Sequence, residues 1–339
     1  MTEVSLAREI ILLNQAYARA RVLHSAVELG LFELLAEGPI DVDGVCAMLG
    51  LHPNLVPDWL DALVGLGLLE QTGGGYGNNP AAASFLIPGE PRYLGGSVTQ
   101  HGRVHYRLWE QLTDALRDGR AKSDRSMLAG AVQDEQQDLQ RARRFLSHMD
   151  AFNGFVAPAL TTAIDWPHYA TFVDVGGARG NIAAELVSAH PHLRGAVFDL
   201  PGVQPLFNEH MAALGTADAV AFHGGNFFTD PLPETDVAII GHVLHDWPVE
   251  SRRQIIGGVW SAIQPGGLLL IYDAMVDPNP ADPYGNVQSL ICSMIRDGGS
   301  EYTEQACREW VEQAGFQVEK VLPLDTLTRD RLLIARKPD

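Results

Sequence analysis

The chain has 339 residues, 46% of them hydrophobic and 19% charged, a composition that excludes intrinsic disorder and suffices for one large domain or two ordinary ones. Acidic residues outnumber basic ones 42 to 24, and the net charge of −18 argues against a general nucleic-acid binder and against an anionic membrane surface, which both favour basic partners. Cys46, Cys292 and Cys307 stand far apart with no C-x-x-C pair, so neither a zinc framework nor a disulfide scaffold is expected, and a reducing, cytoplasmic compartment is.

The opening "MTEVSLAREI" lacks a basic region followed by a long apolar run, so no secretory leader and no bilayer span are expected. Residues 5–36 carry a helical apolar period through Ile10, Leu13, Tyr17, Ala20, Leu23, Val27, Leu31 and Leu34, broken into two helices at Gly30. Asp41 caps a short helix that stops at Gly50; Asn54 or Pro57 opens a second, running to about Leu68. "TGGGYGNNP" then turns between two short extended pieces. Helix, short helix, helix and hairpin is the order of a winged helix-turn-helix. Charge decides against DNA: from Val22 to Pro91 there is no lysine or arginine, and the would-be recognition helix offers phosphates only Asp58 and Asp61. Packing against a neighbour or a second subunit is the expected use.

Residues 92–165 read as helical, interrupted by an exposed basic loop at "RDGRAKSDRS" (117–126). Phe145, Met149 and Phe152 share one helix face, as ordinary core or as a wall facing a substrate. From Ala170 strands rich in Val, Ile, Leu and Phe alternate with helices, the pattern of a parallel α/β sheet buried on both faces. The expected organisation is a winged-helix-like module over 1–100, a helical connector over 101–165 and an α/β domain over 166–339.

In such a sheet ligands bind beyond the C-terminal strand ends. "VDVGGARGN" (173–181) follows the first strand and spells D-x-G-G-x-x-G, not the dinucleotide fingerprint, which makes a nicotinamide oxidoreductase the weakest rival. Gly176 and Gly177 let a ligand approach the backbone, Gly180 lets the next helix pack closely, and Asp174 precedes them. Asp199, with Leu200 beside it, ends the second strand about twenty residues on, where an acid accepts hydrogen bonds from ribose. "HGGNFF" (223–228) ends the next strand, and Asn226 and Phe227 could flank an adenine. Three strand ends thus converge on an adenosine-shaped site.

"VDVGGARG", "FDLPGV", "HGGNFF", "HVLHDWP" and "GGLLLIYDAM", in this order and spacing, resemble the S-adenosylmethionine-dependent O-methyltransferases of the plant caffeate type and their bacterial natural-product relatives. The resemblance covers nearly the whole chain and implies a Rossmann-like class I methyltransferase sheet behind an N-terminal winged-helix dimerisation domain. It further implies a homodimer, S-adenosylmethionine as methyl donor, S-adenosylhomocysteine as product and a small aromatic or polyketide-like acceptor. It places Gly176 and its neighbours at the methionine moiety, Asp199 at the ribose, and Asn226 (usually aspartate in that family) with Phe227 at the adenine. Gly241 and His242 are counted with the cofactor pocket. Arg179 either reaches the cofactor carboxylate or points to solvent.

Aligning an oxygen with a sulfonium methyl is most of the catalytic work. A phenol with pKa near 10 is largely protonated at neutral pH, so an imidazole that removes its proton makes a better nucleophile. His245, just past the strand "DVAIIGHV", meets that need best of the 12 histidines. Asp273, ending the strand "GGLLLIYDAM", and Glu301, expected to open a helix, are candidates to orient it. The resembling family usually has glutamate at both, and Asp273 is one methylene shorter. Asp246 is expected to support the turn and Trp247 to be structural. No metal is expected, since His242 and His245 lack a third ligand at recognisable spacing. "VDPNPADPYGN" (276–286) leads into an apolar helix whose Met294, with Phe145, Met149 and Phe152, would line a flat apolar acceptor pocket. Carbon or nitrogen methylation on the same scaffold, and a sensor that binds the cofactor without turnover, are the alternatives.

Overall fold

A computed structural model describes residues 2–123, 135–276 and 283–339. The loops expected at 117–126 and 276–286 lie partly outside them. The chain forms two compact units, residues 1–106 and 107–339.

In the first unit, α1 (Glu3–Asn14) and α2 (Ala16–Glu28) are followed by α3 (Leu31–Leu34), after Gly30 takes a left-handed φ of 74°. α4 (Val42–Leu49) begins where Asp41 accepts from Gly44 N at 2.8 Å and ends at left-handed Gly50. α5 (Val56–Gly65) carries Pro57 in its first turn. β1 (Leu69–Thr72) and β2 (Gly75–Asn78) pair antiparallel across Gly73 and Gly74, whose φ values of 62° and 91° suit a tight two-residue turn. α6 (Pro80–Phe85) and α7 (Gly95–Gln100) follow. Leu31, Phe32, Val45, Leu60 and Leu63 form the core of this unit. α1 buries nothing: Ile10 is 68% exposed and Leu13 77%.

The second unit starts with α8 (Tyr106–Trp109), which straddles the division, α9 (Leu112–Asp118) and the long α10 (Glu135–Leu160). Strands and helices then alternate: β3 (Thr171–Val175), α11 (Asn181–Ala189), β4 (Arg194–Asp199), α12 (Gln204–Leu214) and β5 (Val220–Gly224). They continue as β6 (Thr235–Gly241), α13 (Val249–Ala262), β7 (Ile263–Asp273), α14 (Pro283–Ile295) and α15 (Glu304–Gln313). β8 (Gln317–Pro323) and β9 (Arg331–Arg336) complete a seven-stranded sheet in the order β5-β4-β3-β6-β7-β9-β8.

Alternate residues of the central strands enter opposite cores. Phe172, Val237, Ile239, Leu268 and Leu270 face α10, α11 and α12; Val173, Ala238, Ile240, Leu269 and Ile271 face α13 and α15. Burial on both faces explains why these strands are almost continuously apolar. The sheet is mixed, however, which corrects the all-parallel expectation: β9 runs antiparallel to both β7 and β8. Neither β8 nor β9 had been singled out in the sequence, and the reversal of β9 brings its start to the edge where the parallel strands end. Asp273 pairs with Arg331 there.

Candidate active site

β6 ends at Gly241, and the chain turns through Leu244–Asp246 before α13. Backbone bonds from Asp246 N to Val243 O (3.2 Å) and from Trp247 N to Leu244 O (3.1 Å) hold this turn. It presents His245 between two acids: Nδ1 is 2.9 Å from Asp273 Oδ1 and 3.1 Å from Glu301 Oε1. Neither contact has the geometry of a straight hydrogen bond. Nδ1 is buried while the side chain keeps 18% exposure, so the accessible edge of the ring lies away from the acids. Burial alone would lower the His245 pKa; Asp273 foremost among its charged neighbours, with Glu301, outweighs it and holds the pKa well above 6.5.

The acids reach the ring by different routes. Asp273 comes from the end of β7, the strand beside β6, and the shorter side chain suffices. Glu301 does not open a helix as expected: α15 starts at Glu304 behind a Thr303 cap, and Glu301 sits in the preceding loop, its N–H donating to Ser289 Oγ at 3.1 Å. Cys292 of α14 lies beside them, its Sγ within 4.8 Å of ligand atoms of His245 and Glu301, and burial pushes its thiol up to about 12. Asp246 Oδ1 is 3.9 Å from His245 Nε2. Trp247 packs on Phe227 and Phe228 and carries the Arg296 guanidinium 3.9 Å above its ring.

His242 has a partner that sequence spacing could not show. Its Nε2 is 2.9 Å from Asp330 Oδ1, 88 positions away, and its φ of 52° is left-handed. Asp330 is fully buried and accepts from the hydroxyls of Thr326 and Thr328, both at 2.7 Å, through Oδ2. Burial opposes both charges, but the pairing dominates: His242 is raised above 6.5, and Asp330 is lowered to about 2. The imidazoles of His242 and His245 lie nearly parallel, 5.9 Å apart. Phe152 meets His242 edge-on at 6.3 Å and His148 at 5.0 Å. Phe145, on the same helix, is 41% exposed, whereas Met294 is buried with Leu108, Ile291 and Cys292.

The glycine loop follows β3. Gly176 has a φ of 74°, and a Cβ on Gly177 would stand 2.6 Å from Asp174 Cγ, so a side chain there would collide with the buried acid. Burial and then the neighbouring Asp199 push the Asp174 carboxyl up to about 7. Asp199 ties β4 to the loop, accepting from Ala178 N at 2.9 Å and from Leu200 N at 2.7 Å. Gly180, at φ 89°, precedes α11. Arg179 does not point to solvent: it pairs with Asp150 of α10, which also accepts from Asn181 Nδ2 at 2.5 Å, and both charged side chains are under one-fifth exposed. Asn226 is exposed, its Oδ1 accepting from Phe228 N at 3.0 Å. At Gly241 the Tyr272 ring occupies the space of a side chain, with Cζ 1.8 Å from where a Cβ would lie.

Sequence reasoning missed Asp150, Arg252, Tyr302 and Asp330. No motif flags them.

Comparison with known proteins agrees across both units. Residues 109–317 match the O-methyltransferase domain and residues 12–88 the O-methyltransferase dimerisation domain. The chain is 44% identical to an N,N-dimethyltransferase, OxyT, of Streptomyces rimosus, over 100% of this chain and 98% of that one. It is 43% identical to the tetracenomycin polyketide synthesis 8-O-methyl transferase TcmO of Streptomyces glaucescens, over 97% and 96%. Human N-acetylserotonin methyltransferase, solved in complex with SAM, superposes with a TM-score of 0.87 at 27% identity, over 100% of this chain and 99% of that chain. With a mixed seven-stranded sheet, a glycine loop under Asp199 and both matching domains, the chain belongs to the S-adenosylmethionine-dependent O-methyltransferase family.

Proposed function

We propose that this enzyme transfers the methyl group of S-adenosylmethionine to a hydroxyl of a small aromatic or polyketide-like metabolite, with His245 as general base. The observation that carries the reading is the imidazole held at Nδ1 between Asp273 and Glu301 with its other edge accessible. The cofactor fits the residues present: a Cβ on Gly176 or Gly177 would collide with Val243 or Asp174, which keeps this loop as bare backbone that a ligand can approach, and Asp199 ties the loop to the end of β4 beside Gly180 and Leu200. Asn226, Phe227, Gly241 and His242 are assigned to the rest of that pocket. When bound, S-adenosylmethionine supplies a sulfonium-activated methyl, and the sulfur keeps the electron pair of the broken S–C bond as the thioether of S-adenosylhomocysteine.

The chain's own part is to orient the acceptor oxygen and to take its proton on His245 Nε2 as the O–C bond forms. Asp273 and Glu301, as positioning residues, stabilise the imidazolium that results. Phe145, Met149, Phe152 and Met294 are assigned to the acceptor pocket, which suits a flat ring system; the polyketide substrate in the name of the Streptomyces glaucescens relative supports that class. Incubation with methyl-labelled cofactor and a panel of phenols, hydroxynaphthoates and aromatic polyketides tests the reading. Label on oxygen is expected. Label on nitrogen or carbon instead would sink it, and nitrogen is the pointed alternative because OxyT is named an N,N-dimethyltransferase.

The dimerisation domain is put to use as a homodimer, with α1 at the interface. Val4, Ile10 and Leu13 are exposed apolar residues on a helix that buries nothing in its own unit. Ile10→Asp with Leu13→Asp is expected to halve the mass measured by light scattering; an unchanged mass would move the interface elsewhere. The absence of any C-x-x-C pair and the three unpaired cysteines suit a cytoplasmic setting.

A further inference from the structure

The carboxylate of Asp273 is fully buried, so the groups beside its two oxygens decide how it is held. Oδ1 faces His245, while Oδ2 accepts a 2.6 Å hydrogen bond from the Tyr302 hydroxyl. Tyr302 is itself wedged in place: its ring lies 5.1 Å from that of Trp310, and the Arg252 guanidinium stands 5.0 Å from its centroid. Arg252 is only 1% exposed. It donates from Nε to Trp247 O at 2.6 Å, and from Nη2 to Ser300 O at 2.7 Å and Ser300 Oγ at 3.0 Å. Ser300 N in turn donates to His245 O at 2.8 Å. One guanidinium therefore fastens the turn carrying His245 to the segment carrying Glu301 and Tyr302.

We infer that Tyr302, braced by Arg252, is a positioning residue for methyl transfer: its hydroxyl anchors one oxygen of Asp273 so that the other faces Nδ1 of His245. The anchor accounts for how a carboxylate with a single methylene serves where a longer one is usual. It fixes the rotation of the carboxylate and gives its buried second oxygen a partner. The inference rests on His245 acting as the base. The groups facing His245 are Asp246 on its own turn, Asp273 at the end of β7, Glu301 before α15, Cys292 on α14 and His242 at the end of β6. Tyr302 speaks to the ring only through Asp273.

Tyr302→Phe keeps the ring and removes the hydroxyl. Without that donor the buried Oδ2 loses its partner and the carboxylate is free to rotate away from Nδ1, so it holds the imidazolium less well. The His245 titration, followed by NMR of the ring and assigned by its loss in His245→Gln, is therefore expected to move down toward 6.5 by about half a pH unit or more. Val311→Ala, a packing change in the same buried cluster, should lower Tm and leave that titration in place. In turnover, Tyr302→Phe should cut kcat about tenfold with the KM for S-adenosylmethionine within about twofold. Adding Tyr302→Phe to Asp273→Asn should cost nothing more. An unmoved or rising His245 titration, or additive losses, would overturn the inference. Because the titration needs no acceptor, it judges Tyr302 even if His245→Ala retains turnover and the base assignment falls.

Discussion

His245→Ala should lower kcat for oxygen methylation by about a hundredfold or more while S-adenosylmethionine still binds, as measured by calorimetry. The ring touches no residue of the glycine loop in the contacts described, so its loss should spare the cofactor and remove only the proton acceptor. A base works in its neutral form, and the folded-state pKa of His245 is raised well above 6.5 by its acids. Sign follows from that direction: the wild-type rate should still be climbing above pH 6.5 and level off only past the raised pKa, and His245→Ala should erase that limb. The same pairing stabilises the fold below pH 6.5, and that contribution is lost as pH rises through the folded pKa. Stability and activity therefore pull in opposite directions along the pH axis. Full turnover in His245→Ala would leave alignment alone as the source of catalysis; no turnover in either protein, with the cofactor bound, would favour the sensor.

The second large effect is on stability. Asp330→Ala strands His242, whose side chain is 5% exposed, and orphans the Thr326 and Thr328 hydroxyls. Breaking one half of a buried pair costs about 3–5 kcal/mol. At roughly 2–4 °C per kcal/mol for a unit of this size, Tm should fall by about 10 °C, read by calorimetry. The loss has a pH window. Asp330, lowered to about 2, contributes fully above 3.8 and loses its share as pH falls toward 2; His242, raised above 6.5, contributes fully below 6.5 and loses its share as pH climbs through its raised pKa. The difference between wild type and Asp330→Ala should be widest between those limits and narrow on either side. A gap that stays constant across pH would mean that packing, not the charge pair, holds this corner.

The sequence was most legible where one physical rule acts alone. Continuous apolar strands follow from burial on both faces, Gly30 and Gly50 from left-handed backbone, and the Asp41 cap from an orphaned N–H. His245 and Asp273 were legible because adjacent parallel strands must release their side chains at one edge; Glu301, on a loop, was legible through the family resemblance, and the structure does bring the three together. What escaped depends on distant partners. Asp330 meets His242 only because β9 enters the sheet in reverse, and nothing in "TLTRD" announces that direction. Arg179 could be narrowed to two orientations, but the third, toward Asp150, requires knowing that α10 packs on α11. Arg252 and Tyr302 look ordinary because their work is done through backbone carbonyls and a neighbour's second oxygen.

The sheet order has a consequence for how the site is assembled during folding. β9 follows β8 in the chain yet lies between β8 and β7, so β8 has no edge to join until its successor is in place. As the chain emerges, β3 to β7 can pair in turn while the edge of β7 stands open, an unpaired row of backbone donors and acceptors of the kind that invites association with other chains. The arrival of β9 closes that edge and delivers Asp330 to His242 in the same stroke. Completion of the sheet and completion of the buried His242–Asp330 pair therefore come together, so a chain lacking β9 would be both adhesive and without that pair.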